Sequence, residues 1–313
     1  MIRFGENGDI PQLKHLWKEC FADEDAYIDA FFHALYKKED VLLAQEKGML
    51  LGASFFLPGS IYIMEGTEGC WQPVRYVYAL AVYPQHRGRG LAGRLLQEAS
   101  RIYRAPLIAE PAEEGLIGGF YEPLGFSGAF YLKKQQRVLP QQDVRAAQAS
   151  GRVIRRADAD AYCRVRDGHF RMHGYVRWPK EHAAFAIAQH RENGGDALLI
   201  SDTCGSTAKT GREDILLYYV EEESVIVTET TLSDKDVEQV LTECLTQPCR
   251  MLVLTGGAAL SEKHAVQPAA VLAQAGMQPE PDRNAQAAES RIYLTGMALG
   301  MPGVHGYLNL TLD

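Results

Sequence analysis

The sequence has few features of a membrane, secreted or nucleic-acid-binding protein. No apolar run approaches the roughly 20 residues that a membrane-spanning helix needs, and the first residues, MIRFGENGDI, lack the basic start and apolar stretch of a secretory signal. The formal net charge is −8 at pH 7, whereas nucleic-acid-binding domains usually present a basic face. We therefore expect a cytoplasmic protein with neither nucleic acid nor membrane as a partner.

The cysteines and histidines form no recognisable redox or metal motif. Six cysteines are scattered without a CxxC pair: Cys20, Cys70, Cys163, Cys204, Cys244 and Cys249. Reduced, mostly buried thiols are the expected state. His169 and His173 are four residues apart in a predicted helix, but no third ligand is recognisable near them, so we predict no metal site.

Length and hydrophobic pattern predict a mixed α/β protein with two units. The chain has 313 residues, 46% of them hydrophobic and 23% charged, which are globular values. Strands and helices alternate in both halves, and the second half repeats the order of elements of the first without repeating its sequence. We predict a first domain over residues 1–138, a polar linker over 139–151 and a degenerate second domain with a C-terminal tail over 152–313.

The most informative stretch lies between a buried strand and an amphipathic helix. The strand is predicted over Val74–Val82 and the helix over Leu91–Tyr103. The first turn of a helix leaves about four N–H groups without internal partners and carries partial positive charge, so a phosphate can bind there. The position predicts a phosphate site at the start of this helix.

The loop between these elements is rich in glycine and arginine. A side chain at Gly88 or Gly90 would stop the backbone from closing around a pyrophosphate. Arg87 and Arg89 add positive charge for phosphate oxygens. The spacing fits neither the GxxxxGK[ST] loop of NTPases nor a GxGxxG dinucleotide site. A purely structural turn is the alternative.

Gln85-x-x-Gly88-x-Gly90 resembles the Gln/Arg-x-x-Gly-x-Gly/Ala signature of the GNAT superfamily of N-acetyltransferases. The resemblance implies that acetyl-CoA is the cosubstrate, that its pantetheine runs along the end of the strand and that its pyrophosphate lies on the loop. The residues that it assigns to the cofactor are Leu80, Ala81, Val82, Gln85, His86, Arg87, Gly88, Arg89, Gly90, Leu91 and Ala92.

A second motif follows about thirty residues downstream. The run Phe120-Tyr121-Glu122-Pro123-Leu124-Gly125-Phe126 resembles the Phe-Tyr-x-x-x-Gly-Phe end of the last core helix in the same superfamily. The resemblance implies that Tyr121 protonates the departing CoA thiolate, and a phenol with an ordinary pKa near 10 is a reasonable acid for a thiol. A core aromatic with a satisfied hydroxyl is the alternative role for Tyr121.

Both motifs are most similar to those of the Eis-like (enhanced intracellular survival) acetyltransferases. That family carries a second, degenerate GNAT unit after the first, and then a sterol-carrier-like domain for which this chain has no room. The C-terminal carboxylate reaches the active site in that family, which makes Asp313 a candidate. In the second half, Thr230–Asp236 has no glycine and two acids at the expected place of a phosphate loop, so we expect no CoA there.

The resemblance implies direct transfer of the acetyl group to a neutral amine, polarised by a strand N–H and without a covalent intermediate. Candidate acceptor-site residues are Glu24, Asp25, Tyr27, Phe31, Tyr76, Tyr78, Glu110 and Asp313. Surface positions for the carboxylates and core positions for the aromatic residues are the alternatives.

Three functions remain open from the sequence. The first is an acetyl-CoA-dependent N-acetyltransferase acting on a primary amine of a small molecule or peptide. The second is an acyltransferase with a different acyl donor or acceptor. The third is a non-catalytic CoA-binding or oligomerisation scaffold, and a homo-oligomer is compatible with any of the three.

Overall fold

The computed structural model describes residues 1–138, 151–202, 213–245, 249–255 and 289–301. The chain divides into two units, and neither is a continuous segment of the sequence. The first unit combines residues 1–130 and 172–185 with the described residues from 295 onward. The second unit combines the described residues of 131–171 and 186–294. The predicted linker lies almost entirely outside the described residues, so the predicted domain boundaries stay a prediction.

The described residues form strands and helices in alternation. The strands are β1 (Ile2–Phe4), β2 (Val41–Glu46), β3 (Met49–Glu65), β4 (Glu68–Val82), β5 (Leu107–Ala109), β6 (Ser127–Val138), β7 (Arg152–Arg156), β8 (Val176–Arg177), β9 (Asp196–Asp202), β10 (Glu213–Glu221), β11 (Ser224–Thr230), β12 (Met251–Thr255) and β13 (Glu289–Leu299). The helices are α1 (Ile10–Phe21), α2 (Asp25–Ala34), α3 (Leu91–Tyr103), α4 (Glu114–Leu116), α5 (Ala159–Phe170), α6 (Lys180–Glu192) and α7 (Asp234–Cys244).

The sheet of the first unit is mixed. Strands β1, β2, β3 and β4 pair antiparallel in that order. Strand β5 then runs parallel to β4, and residues 297–299 of β13 pair antiparallel with β5. A parallel pair inside an otherwise antiparallel sheet needs a crossover connection, and α3 supplies it.

Helix α3 has one apolar face, which packs on the sheet. Leu91, Leu95, Leu96 and Ala99 recur at helical spacing and are all buried, so the apolar face covers the sheet while the polar face remains in solvent. The helix begins and ends where the pattern predicts. The interval from Glu113 to Leu124 is not one regular helix. After α4 it continues as a π-helical turn over Ile117–Tyr121 and a 3-10 turn over Glu122–Leu124.

The hairpin of β3 and β4 receives a short strand from later in the chain. Strand β8 pairs antiparallel with β3 at Ser60 and Ile61, and the Arg177 guanidinium lies 3.9 Å from the centre of the Trp71 ring. The sequence did not reveal β8, because a two-residue strand has no periodicity to detect.

The second unit repeats the strand order of the first. Strands β7, β9, β10 and β11 pair antiparallel in that order. Strand β12 is parallel to β11, and residues 134–138 of β6 pair antiparallel with β12. In each unit, therefore, the strand beyond the parallel pair comes from the other half of the sequence. The mixed α/β class is confirmed.

Candidate functional site

A β-bulge marks the centre of the first unit. The register of β3 and β4 shifts between Ala53 and Phe55, so that Ala79 and Leu80 oppose the single residue Ser54. Ala79 has a φ of 48°, which is rare for a residue with a side chain. Bulges bend a strand and change the direction of its groups, and they are frequent beside active sites.

Strands β4 and β5 separate just before this bulge. Their pairs run from Arg75 to Val77 on β4, and β5 ends at Ala109 while β4 continues to Val82. The end of β4 therefore keeps one edge that β5 does not cover. An extended ligand can bind such an edge as an added strand.

The backbone of Val82 faces that edge. The N–H of the next residue, Tyr83, donates to the Leu51 carbonyl at 3.0 Å on the β3 side, and successive residues of a strand point in opposite directions. The Val82 carbonyl instead accepts from Arg87 Nε at 3.1 Å and from the Cys20 thiol at 3.6 Å. Ala81, the residue before Val82, lies opposite Ala53 of β3.

The start of α3 lies at the same end of the sheet. Gly88 and Gly90 have φ values of 74° and 70°, in the left-handed region that glycine adopts most readily. The bond from Arg94 N–H to the Gly90 carbonyl, at 3.1 Å, closes the first turn. The N–H groups of Leu91, Ala92 and Gly93 precede that bond and have no acceptor within the helix.

The structure adds a requirement of its own for the two glycines. A Cβ at Gly88 or Gly90 would have no atom within 4 Å, so no part of the protein requires a bare backbone there. The left-handed conformation is the requirement. Gly88, Arg89 and Gly90 are exposed residues.

The basic side chains of the loop already have partners. Arg87 donates to the Val82 carbonyl, and Arg89 Nη2 lies 3.2 Å from Glu46 Oε2. Gln85 and His86 lie in the 3-10 turn that opens the loop, and Gln85 is exposed. An anion on this loop would therefore meet the amides of α3 directly and the two arginines after a rotation of their side chains.

Tyr121 lies at the end of the π-helical turn. Its side chain is 6% exposed and packs edge-on against Phe120 and Phe126, with ring centres 4.9 and 5.3 Å away. Gly125, with a φ of 89°, ends the following turn. Burial raises the pKa of Tyr121 to about 12, because the phenolate is poorly solvated there. The hydroxyl is thus a weaker acid than an ordinary phenol.

Aromatic side chains gather on one face of β4. The hydroxyls of Tyr27 and Tyr78 are 2.5 Å apart, and Phe31 stacks on Tyr78 at 5.3 Å. The Tyr76 ring lies 6.0 Å from that of Tyr78. The structure therefore brings the four predicted aromatic residues together.

Two members of this aromatic group were missed from the sequence. The Trp178 ring lies 5.7 Å from that of Tyr76, and the Phe185 ring lies 5.7 Å from that of Tyr27. Both belong to the segment 172–185, more than ninety positions along the chain from β4. No local signal in the sequence could have linked them to β4, because the contacts are entirely long-range.

The predicted carboxylates are dispersed by comparison. Asp25 is exposed and pairs with Lys18 at 3.1 Å, and Glu24 precedes α2 on the surface. Glu110 follows β5 directly and is half-buried. Asp313 lies outside the described residues.

His182 is a buried imidazole beside the aromatic residues. It is 3% exposed, its ring lies 6.3 Å from that of Trp178, and in the described part of the chain its Nδ1 has no hydrogen-bond partner. Burial lowers its pKa to about 4, so the ring is neutral at pH 7.

The corresponding helix of the second unit begins differently. The Ser233 hydroxyl accepts from Asp236 N–H at 3.3 Å and caps α7. Arg137 pairs with Asp234, and Arg152 lies 2.7 Å from Asp236. The start of α7 thus carries acids of its own where α3 has glycine.

The described residues contain neither a cluster of metal-binding side chains nor a membrane-spanning helix. No cluster of three or more His, Cys, Asp or Glu side chains occurs in them with the proximity that metal binding needs. The predicted helical pair of His169 and His173 does not form, because α5 ends at Phe170. None of the helices in the described ranges has the length and apolarity to span a bilayer.

Solved structures share this fold. A GCN5-related N-acetyltransferase from Anabaena variabilis is 15% identical, with a TM-score of 0.65 over 95% of this chain and 72% of that one. A probable N-acyltransferase from Enterococcus faecalis is 12% identical, with a TM-score of 0.63 over 95% of this chain and 72% of the other. Eis1 from Mycobacterium abscessus is 13% identical, with a TM-score of 0.59 over 96% and 73% of the two chains.

At these identities the structures show the fold alone. No curated protein matches the chain significantly in sequence. Residues 1–129 match the family model described as an acetyltransferase (GNAT) domain. The first 129 residues of this chain are therefore similar to an acetyltransferase domain of the GNAT family.

Proposed function

We propose that this protein transfers an acetyl group from acetyl-CoA to a primary amine of a small molecule or peptide. The observation that carries the proposal is that two features suited to ligand binding lie at one end of the first sheet. These are the uncovered edge of β4 and the N–H groups of Leu91–Gly93. A pantetheine amide chain suits the first and a diphosphate suits the second.

The residues present fit that cosubstrate. Leu80 and Val82 would bind the pantetheine through their backbone, and Ala81 would hold the strand to β3. The amides from Gly88 to Ala92 would bind the diphosphate, with Arg87 and Arg89 reaching its oxygens. Arg87 would first leave the Val82 carbonyl, so cofactor binding would exchange one hydrogen bond for another.

CoA supplies the acetyl group as a thioester, and the chain's own residues position the reaction. The amine must be neutral to attack the carbonyl carbon. The C–N bond forms, the C–S bond breaks and the electron pair of that bond goes to sulfur. Tyr121 gives its hydroxyl proton to the thiolate, the amine loses a proton to a base, and the phenol is restored by a proton from solvent.

The raised pKa of Tyr121 affects how it can act as the acid for the thiolate. At pH 7 the hydroxyl is fully protonated, which an acid requires. A pKa of about 12 lies roughly three units above that of a thiol, a difference of about 4 kcal/mol against complete transfer. Tyr121 would therefore first stabilise the thiolate by a hydrogen bond and transfer the proton late in the step.

The aromatic group on β4 would border the acceptor site. Tyr27, Phe31, Tyr76 and Tyr78 would form its wall, joined by Trp178 and Phe185 from the segment 172–185. Glu24, Asp25, Glu110 and Asp313 remain candidates for contact with the amine or for the base.

The tandem, Eis-like arrangement is also part of the proposal. It is supported by the repeated strand order of the second unit and by a second register shift, between Leu217 and Tyr218, in the strand pair that corresponds to β3 and β4. Asp234 and Asp236 at the start of α7 would repel a phosphate, so the second unit would bind no CoA. We propose a cytoplasmic enzyme without a metal, either monomeric or a homo-oligomer.

Substitution of Tyr121 tests the chemical role. Tyr121→Phe should lower turnover by about 100-fold, in the usual range for loss of a general acid, and leave CoA affinity within a factor of two. Turnover is measured by thiol release with acetyl-CoA and a panel of amines, and affinity by calorimetry. Tyr36→Phe is the control, because it also removes a tyrosine hydroxyl. That hydroxyl donates to the Glu6 carbonyl at 2.9 Å and has no proposed part in the reaction. Unchanged turnover in Tyr121→Phe would remove the acid role.

The alternatives predict other outcomes in the same assays. A non-catalytic CoA-binding scaffold would bind CoA and release no thiol with any amine. An acyltransferase with a different donor would release thiol faster from a longer acyl-CoA than from acetyl-CoA. Absence of CoA binding by folded protein would remove the cofactor assignment.

A further inference from the structure

We infer that the acceptor is a monoamine carried on an aromatic body, rather than a polyamine or a lysine side chain. The inference rests on the proposed function and names the substrate class of the same site. It is carried by the aromatic group on β4, whose members are Tyr27, Phe31, Tyr76, Tyr78, Trp178 and Phe185.

The rings of this group form one connected aromatic surface. The Phe185 ring lies 6.0 Å from that of Phe31 and 5.7 Å from that of Tyr27. The Trp17 ring lies 4.8 Å from that of Phe31 and 5.6 Å from that of Tyr78. Phe31 is fully buried, whereas Tyr27 and Tyr78 are half-buried. These two tyrosines therefore retain accessible surface, and a further ring can pack there edge-on or offset, as aromatic pairs favour.

The half-buried part of the group adjoins the end of β4. Tyr78 is followed directly by Ala79 and Leu80, the two half-buried residues of the bulge. With its diphosphate at the start of α3, the pantetheine would run back along β4 from Val82 towards this bulge. Its thioester end would then lie nearest Tyr78, so an amine on a short chain from a ring packed on Tyr78 could reach the acetyl carbon.

The exposed carboxylates of α2 already have partners. Asp25 pairs with Lys18 at 3.1 Å, and Asp29 pairs with Lys14 at 2.6 Å. A polyamine that binds these acids would have to displace a lysine from each of them. Such an exchange gains little affinity, because one surface ion pair replaces another.

Half-buried carboxylates border the aromatic group at two points. Asp23 accepts the indole N–H of Trp17 at 2.7 Å. Glu110 follows Ala109, the partner of Val77 on β4. A surface of rings with acids only at its borders suits one amine and an apolar body, since small-molecule sites combine apolar walls with a few placed polar groups.

The test compares kcat/KM for four amines in wild type, measured by thiol release from acetyl-CoA. 2-Phenylethylamine should exceed spermidine and a lysine-containing peptide by about tenfold, in the range that an apolar pocket can discriminate. It should exceed 2-cyclohexylethylamine several-fold, because that amine has the same reach and no aromatic ring. This comparison needs no variant.

Variants of Tyr27 test whether this surface causes the preference. Tyr27→Leu removes the ring and should bring the ratio of kcat/KM for the phenyl and cyclohexyl amines close to one, mainly by raising KM for the phenyl amine. Tyr27→Phe loses the same bond to Tyr78 but keeps the ring, so it should keep the ratio. Phe4→Leu is the control outside the group, since Phe4 is an exposed aromatic residue of β1. It should keep the ratio and the rates.

The outcomes separate the inference from the proposed function. A preference for spermidine or the peptide would overturn the inference and leave the proposed function intact. Equal kcat/KM for the phenyl and cyclohexyl amines, or a ratio that folded Tyr27→Leu retains, would also overturn it. Release of no thiol with any amine by folded wild type would overturn the proposed function and the inference with it.

Discussion

The hydroxyl of Tyr27 on α2 lies 2.5 Å from the hydroxyl of Tyr78 on β4. This bond ties the helical layer to the strand that borders the proposed acceptor site. Phe31, one turn along α2, stacks on the same Tyr78 ring at 5.3 Å. The position of α2 over β4 is therefore determined by a hydrogen bond and an aromatic contact together.

Removing either hydroxyl should loosen this connection. We expect Tyr27→Phe and Tyr78→Phe each to lower the free energy of unfolding by about 1 kcal/mol, the usual value of a hydrogen bond. The double variant should lose less than the sum, because both changes remove one bond. Urea unfolding of the four proteins measures the coupling. Strictly additive losses would show that the two hydroxyls do not stabilise each other.

Substitutions at Gly88 can separate backbone strain from charge. Gly88→Ala should cost about 1–2 kcal/mol of stability because its φ is 74°, although an added Cβ would meet no protein atom within 4 Å. Gly88→Glu adds a negative charge to the same strain and should reduce CoA affinity more than tenfold. Calorimetry with CoA measures the affinities.

Gly66→Glu is the matched control for charge. Gly66 lies in the β3–β4 turn with a φ of 66° and no atom within 4 Å of an added Cβ, so it takes the same strain and the same charge far from the loop. It should bind CoA like wild type. Equal CoA affinity of Gly88→Glu and Gly66→Glu would contradict the placement of the diphosphate.

The buried imidazole of His182 predicts a loss of stability in acid. Its folded pKa, about 4, lies below its ordinary value of about 6.5. The stabilisation is therefore complete above pH 6.5 and is lost as the pH falls towards 4. At pH 4.5 the free energy of unfolding has fallen by about 2–3 kcal/mol through this one group.

The neutral variant His182→Gln should lose less free energy of unfolding than wild type between pH 7 and pH 4.5, as measured by urea unfolding at both values. His33→Gln is the control, since His33 is exposed on α2. A pH dependence of His182→Gln identical to that of wild type would show that this imidazole does not titrate on unfolding.

Met297 tests whether the C-terminal strand stabilises the N-terminal unit. Its side chain is fully buried and it pairs with Ala109 of β5. Met297→Ala should cost about 2–5 kcal/mol, as for other buried truncations. All three tryptophans, Trp17, Trp71 and Trp178, lie in the first unit, so their fluorescence during urea unfolding reports on it.

Met49→Ala is the control for Met297→Ala, because Met49 belongs to the same unit and is 56% exposed. It should leave the midpoint of the fluorescence transition almost unchanged. A midpoint of Met297→Ala equal to that of Met49→Ala would show that β13 contributes nothing to the first unit.

Local features were predicted well because their causes are local. The bounds of α3 follow from its apolar period and the glycine before it, and the buried face of α1 follows from the spacing of Leu13, Leu16 and Trp17. The two motifs around Gly88 and Tyr121 indicated a GNAT domain, in agreement with the family match to residues 1–129. Such signals need only a few neighbouring residues.

The rest depends on contacts that no local pattern encodes. The closing strand of each unit comes from the other half of the sequence, and Trp178 and Phe185 reach the aromatic group on β4 across more than a hundred residues from Tyr27 or Tyr76. Burial also raised the pKa of Tyr121 and lowered that of His182, since solvation depends on the folded surroundings. By itself the sequence determined most helices, most strands and the place of the glycine-rich loop, whereas strand exchange, the aromatic wall and the acidities were decided only when distant segments packed together.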